Sequence, residues 1–165
     1  MNGGVVFIYP DGDVVVEKCA TLKEKGSKYT KSDTKGMANI LIENLRSFQS
    51  EDVILYIEYV HSFPTDGRAS AFSFGYNFGA WEGIISSLDL SINRVLPRMW
   101  QQFFKIPSFQ ADSLAEAKKL RKRWLKRYAE QSFNKQKITF KTSDACLIAL
   151  YARDIADNDG KKIYF

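Results

Sequence analysis

Cysteine is scarce in this sequence, long apolar runs are missing, and neither sign of charge dominates. The 165 residues include two cysteines, Cys19 and Cys146. Two thiols build neither a disulfide framework nor a four-thiolate zinc site, and they suit a reducing, intracellular compartment. No uninterrupted apolar run approaches the roughly 18 residues of a membrane span. Met1 to Pro10 lacks the basic flank and small-residue cleavage site of a signal peptide, so neither secretion nor membrane insertion is expected. What is present suffices for one compact α/β domain over residues 1–165: 45% hydrophobic residues, 14% aromatic and 26% charged.

The formal net charge of +5 is a local feature. Lys118, Lys119, Arg121, Lys122, Arg123, Lys126 and Arg127 form a cluster with no acid inside it; removing these seven of 24 basic residues leaves 17 against 19 acidic ones. Such a patch points to a polyanion meeting one surface, with nucleic acid the leading partner. A solvated face without a ligand and an anionic membrane surface are the other readings. Leu114, Ala117, Leu120, Trp124, Leu125 and Tyr128 recur every three or four residues through the same stretch, so the basic segment reads as an amphipathic helix.

Two β-rich runs, Gly4 to Tyr9 and Val14 to Cys19, flank Pro10-Asp11-Gly12-Asp13, which predicts a hairpin. Met37, Ile40, Leu41, Leu45 and Phe48 follow helical spacing, with Ser32 or Asp33 as cap. Val53 to Ile57 reads as a strand buried on both faces that ends on Glu58. From Ser70 to about Leu88 the pattern is helical, with Phe72, Phe78 and Trp81 expected in the core. Gly75, Gly79 and Gly83 recur every four residues, and close packing on the sheet is the favoured account of that stripe. A strand over Ile92 to Leu96 runs into Pro97, placed for the first turn of a helix. A last helix, capped by Thr142 or Ser143, carries Asp144 in its first turn. The order predicts a mixed α/β arrangement around a partly antiparallel sheet.

Glu58 and Asp144 stand out by position. Each has a structural reading, as the first solvated residue of a strand end and as a complement to a helix dipole. Together, in a basic α/β chain, they suggest a carboxylate cluster for divalent cations, because Mg²⁺ (or Mn²⁺) takes oxygen ligands and clamps phosphate oxygens.

Tyr56-Ile57-Glu58-Tyr59-Val60-His61-Ser62-Phe63-Pro64 and Ser70-Ala71-Phe72-Ser73-Phe74-Gly75-Tyr76-Asn77-Phe78-Gly79 resemble the RuvC-like Holliday junction resolvases of phage and organellar type. Leu96-Pro97-Arg98-Met99-Trp100 looks like that family's Pro-x-x-Trp segment. Ser143-Asp144-Ala145-Cys146-Leu147-Ile148-Ala149-Leu150-Tyr151 is similar to its final helix. The resemblance implies a ribonuclease H-like mixed sheet flanked by helices, a homodimer, and metal-dependent hydrolysis of phosphodiesters in branched DNA, with Glu58 and Asp144 as metal ligands. By the same analogy His61 positions water or touches phosphate, Phe74 reaches unstacked bases, and Arg68 and the basic helix bind phosphates.

The sequence departs from the family pattern in two places. The family opens on a central strand that ends in an Asp-Pro-Gly-like motif, and this chain starts at Met1-Asn2-Gly3-Gly4, just past it. The first carboxylate and the strand that carries it are therefore missing, and Asp11 and Asp13, at the far hairpin turn, do not replace it. The expectation is that about 10 residues precede Met1 in the working protein, that the 165 residues alone do not cut DNA, and that without the strand they do not fold cooperatively. The second departure is Phe140 and Lys141, where the family has an acid or a histidine; Lys141 neutralises phosphate but does not ligate a metal while protonated. Both departures favour the alternative, a non-catalytic branched-nucleic-acid-binding protein of the same fold.

Overall fold

The computed structural model describes residues 3–23, 25–26, 30–61 and 67–158. The architecture is mixed α/β: among the described residues there are three two-stranded sheets and five α-helices. Strands β1 (Gly4–Ile8) and β2 (Val14–Lys18) pair antiparallel with Val6 opposite Val16. Their connection is closed by Tyr9 N donating to Asp13 O at 2.8 Å and Gly12 N donating to Tyr9 O at 3.0 Å. Gly12 has φ +88°, a conformation that a side chain would oppose. A second, short ribbon, β3 (Thr21–Lys23) with β4 (Thr30–Ser32), follows in a stretch whose polar composition had predicted no strand. Its pairing rather than any apolar alternation defines it.

Helix α1 (Thr34–Leu45) starts where Asp33 accepts a hydrogen bond from Gly36 N at 3.0 Å. Strand β5 (Leu55–Glu58) is shorter than the apolar run that contains it, and it pairs parallel with β6 (Ile92–Val95), Glu58 opposite Val95. Between them lies α2 (Arg68–Ser87) as the crossover. Pro97 opens α3 (Pro97–Phe103), as its fixed φ suits the first helical turn. In α4 (Leu114–Ser132), Ser113 accepts from Glu116 N at 3.2 Å, with the Ser-x-x-Glu spacing of a capping box. Helix α5 (Ser143–Asn158) closes the order.

Side-chain parity fixes the layers. Val6 and Ile8 of β1 and Val95 of β6 share a core with Leu125, Ala129, Leu147 and Ile148, so α5, backed by α4, covers one face. Tyr56 of β5 meets Tyr151 of α5 edge-on on that same face. Phe7, Leu55, Ile57 and Ile92 belong instead with Met37, Leu41, Trp81 and Ile85, which places α1 and α2 on the other face. Leu125 and Leu147 are fully buried, and burial of each is worth about 1.5–3 kcal/mol. None of the described helices is long and apolar enough to cross a membrane.

The structure corrects three expectations. Residues of β5 are half-buried rather than buried on both faces, because β1 does not pair with β5 and a cleft opens along the edge that faces it. The glycine stripe of α2 does not pack on a sheet: a Cβ at Gly75, Gly79 or Gly83 would meet nothing within 4 Å. Phe72, expected in the core, is 75% exposed, in a run from Phe72 to Tyr76 that is exposed throughout; Trp81, two and a half turns on, is buried as expected.

Candidate functional site

Glu58 ends β5, and Asp144 sits in the first turn of α5, which crosses that strand. The folding logic that brings them together is local and specific. Gly4 at the start of β1 lies so close to the loop ahead of α5 that a Cβ there would stand 3.0 Å from Thr142 Cα. Thr142 itself is locked to the preceding turn, its hydroxyl accepting from Thr139 N at 3.0 Å. The helix therefore starts at a fixed height against the strands, and Asp144 is delivered beside Glu58.

The Glu58 carboxylate accepts a hydrogen bond from Trp100 Nε1 at 2.9 Å. Trp100 is 1% exposed, so this partner is held rigidly by α3. Burial raises the Glu58 pKa above the usual carboxylate value, and the neighbouring Asp144 charge adds to the rise; the Trp100 hydrogen bond and the cations Lys122 and Arg121 oppose it. Asp144 Oδ2 accepts from Lys122 Nζ at 2.5 Å. One carboxylate is thus held by an indole and the other by an ammonium.

Around the pair runs a cleft of about 560 Å³ between β1 and β5, lined by Glu58, His61, Phe74, Lys122, Lys141 and Asp144 among others. His61 is exposed and its ring meets Tyr59 edge-on at 4.4 Å, Tyr59 in turn lying against Phe78 at 5.6 Å. Phe74 is 57% exposed at the cleft wall. Lys141 is exposed and lies on the same rim, beside a half-exposed Phe140.

The basic helix is divided. Lys122 pairs with Asp144, Arg121 is close enough to influence Glu58, and Lys126 is bound to Glu130 one turn on and lies 5.8 Å over the Phe140 ring. Lys119, Arg123 and Arg127, four residues apart, make an exposed row along α4, and Lys118 is also exposed. The seven cations therefore do not act as one solvated face: Lys122 and Lys126 are engaged in ion pairs. The composition of Thr65-Asp66-Gly67-Arg68 predicts a flexible loop, but Arg68 is the exposed first residue of α2, and Thr65 and Asp66 lie outside the described residues. Sequence reasoning assigned Lys122 to phosphate binding and gave Trp100 no role. Nothing in the linear pattern pairs position 122 with 144 or 100 with 58, because the fold alone makes both contacts.

The donor set fits one divalent cation better than two. Two adjacent carboxylates are what Mg²⁺ commonly takes from a protein, with water and phosphate completing its shell. No group of three or more histidine, cysteine, aspartate or glutamate side chains able to hold a metal occurs among the described residues. The cysteines add nothing there. Burial, reinforced by the Asp144 charge, pushes the Cys146 thiol up to about 12, and burial raises Cys19 as well, so neither is a ready thiolate. No protein-family model and no curated protein matches the sequence.

Proposed function

We propose that this chain is a ribonuclease H-like, RuvC-like protein that binds branched DNA, and that Glu58 and Asp144 are two of the carboxylates of a metal-dependent endonuclease site. The observation that carries the reading is the convergence of these two acids at the end of β5, from positions 86 residues apart in the chain, beside a helix whose exposed row is basic. A divalent cation held by the pair supplies Lewis-acid polarisation of a phosphodiester. The chain's own residues do the rest. Trp100 fixes the orientation of Glu58, Lys141 at the rim and Arg121 on α4 offset phosphate charge, and His61 holds a water or a phosphate oxygen. Lys119, Arg123 and Arg127 supply salt-dependent, sequence-independent affinity, and Phe74 offers a stacking surface for an unpaired base. A symmetric pair of such sites on a homodimer matches the two-fold character of a four-way junction.

A second reading, a branched-DNA binder without catalysis, is favoured by the Lys122–Asp144 ion pair, which occupies a carboxylate that a cation would need. One experiment separates the two. Junction binding and Mg²⁺-dependent cleavage are measured on the purified protein with and without Glu58→Gln. The nuclease reading expects loss of cutting with retained binding after Glu58→Gln. Cleavage that survives Glu58→Gln refutes the assignment, and binding without cutting by the unaltered protein leaves the binder reading.

A further inference from the structure

The cations of this chain concentrate in two segments. Residues 118–127 hold seven of the 24, and residues 18–35 hold six more, Lys18, Lys23, Lys25, Lys28, Lys31 and Lys35, with only Glu24 and Asp33 among them. Removing both segments leaves 11 of the 24 basic residues and 17 of the 19 acidic ones. The rest of the chain is therefore acidic, and two basic segments on such a background mark two surfaces that meet a polyanion.

The second segment carries β3 and β4, and burial does not account for it. Each strand has three residues, and of the six only Ser32 is buried; Leu22, their one large apolar side chain, is 46% exposed. A short ribbon that adds so little to the core stabilises the fold little, while the lysines crowded on it repel one another. Asp33 does not offset them freely, since its carboxylate caps α1 at Gly36 N. Lys18, Lys23, Lys25, Lys31 and Lys35 are all exposed, and Lys23 and Lys25 make no ion pair among the described residues; Lys28 lies outside those residues.

The root of the ribbon fixes where these cations stand. Cys19 N donates to Gly3 O at 3.1 Å, and Lys18 lies opposite Gly4, the residue set against Thr142 two positions ahead of Asp144. The chain returns through Ser32, whose hydroxyl donates to Asn77 Oδ1 of α2 at 2.9 Å, and through Asp33 N, which donates to Ala20 O at 3.1 Å. Cys19 and Asn77 line the same cleft as Glu58 and Asp144. The ribbon thus leaves the strands at the end that carries the acid pair. Cys19 and Ala20 pack with Met37, Leu41 and Trp81 on the α1/α2 face, whereas Leu125 and Ala129 put α4 on the α5 face. The two acids stand between two basic surfaces, one on each face.

We infer that the β3–β4 ribbon is a second nucleic-acid-binding surface, which holds the phosphate backbone of one duplex arm through Lys23, Lys25 and Lys31 while the exposed row of α4 holds another. Basic surfaces on opposite sides of one acid pair fit two diverging duplexes better than one straight duplex. A two-stranded ribbon is narrow enough to lie along a DNA groove, and Thr21 and Thr30, exposed beside the lysines, add hydroxyl donors for phosphate oxygens. The inference rests on the reading of the chain as a branched-DNA binder and adds the element that tells a branch from a straight helix. It requires neither a metal ion nor cleavage.

The test is fluorescence anisotropy on the full chain with a four-way junction and with a linear duplex of the same sequences, each in a salt series. Lys23→Gln/Lys25→Gln removes two charges of the ribbon. Lys135→Gln/Lys137→Gln removes two exposed charges at the opposite end of the strands, where Gln136 Nε2 donates to Val14 O at 2.7 Å. The ribbon variant should weaken junction binding by about tenfold and lower its salt slope by about 2, at roughly 0.9 per phosphate contact, while duplex affinity stays within about threefold. The control variant should leave both affinities within about threefold. Equal losses on junction and duplex overturn the inference, since the ribbon then lies on the same arm as α4. So does a ribbon variant that matches the control on the junction. Either result leaves the junction preference of the parent, and with it the DNA reading, standing. A parent that binds neither DNA at low salt overturns both.

Discussion

Replacing Lys122 with methionine isolates the contact that decides whether the acid pair is open to a cation. The ammonium sits 2.5 Å from Asp144 Oδ2, and the two side chains are 41% and 30% exposed, so solvent screens the pair. Ion pairs of that exposure contribute roughly 0.2–1 kcal/mol, and the methionine keeps the aliphatic stem, so unfolding stability is expected to fall by no more than about 1 kcal/mol. A divalent cation on Asp144 must displace that ammonium. Removing the competitor is worth up to about the same 1 kcal/mol, which is about a fivefold tightening of Mg²⁺ or Mn²⁺. Because Lys122 also lowers the Glu58 pKa, the variant titrates Glu58 at higher pH than the parent, so the comparison is made across a pH series. Isothermal titration with Mn²⁺ on the parent, Lys122→Met and Lys119→Met reads the effect. Lys119 is an exposed member of the same helix, so its substitution changes net charge equally without touching Asp144. Unchanged or weaker binding in Lys122→Met, or equal tightening in Lys119→Met, refutes the reasoning.

Three further outcomes follow from the same geometry. The Glu58 pKa is raised in the folded state, so the native protein binds its proton more tightly than the unfolded chain; stability is highest below the ordinary glutamate pKa, falls as pH rises through the folded value, and stays reduced above it. Denaturant melts across pH should therefore show Glu58→Gln flattening that fall and stabilising the protein at neutral pH, and a steeper fall in the variant contradicts the shift. Gly4→Ala places a Cβ 3.0 Å from Thr142 Cα and should cost about 1–3 kcal/mol in the same melts, where a neutral result means that β1 and the α5 start are not in contact. Arg123→Ala should weaken junction binding at every sequence and reduce the slope of log affinity against log salt by about 0.9; an unchanged slope removes the exposed row of α4 from the interface.

Elements with a strong local signal were legible in the sequence. Asp11-Gly12 made the hairpin, Asp33 capped α1, Pro97 opened α3, and the three-to-four spacing from Leu114 to Tyr128 defined α4. The β3–β4 ribbon was not, because Thr21 to Lys23 and Thr30 to Ser32 lack an apolar face and exist through pairing alone. The fate of Phe72 and of the glycine stripe was also hidden. Periodicity shows that a face exists and not whether a neighbour reaches it, and among the described residues none reaches a Cβ at Gly75, Gly79 or Gly83. Glu58 and Asp144 could be picked out by position, and the structure brings both to one cleft with His61, Phe74 and Lys141. That Lys122 would turn inward to Asp144 had no sequence signal, since every third or fourth residue of a basic amphipathic helix is an equal candidate.

Recognition of branched DNA by this cleft and its basic border is what distinguishes the proposed function from general polyanion binding. The most direct measurement is competition between a four-way junction and a linear duplex of the same sequences for the purified chain, followed by fluorescence anisotropy at fixed salt. The junction is expected to be preferred by about tenfold or more, a difference of roughly 1.4 kcal/mol, and both affinities to fall with salt. Equal affinity for the two, or no binding to either at low salt, contradicts the proposed function.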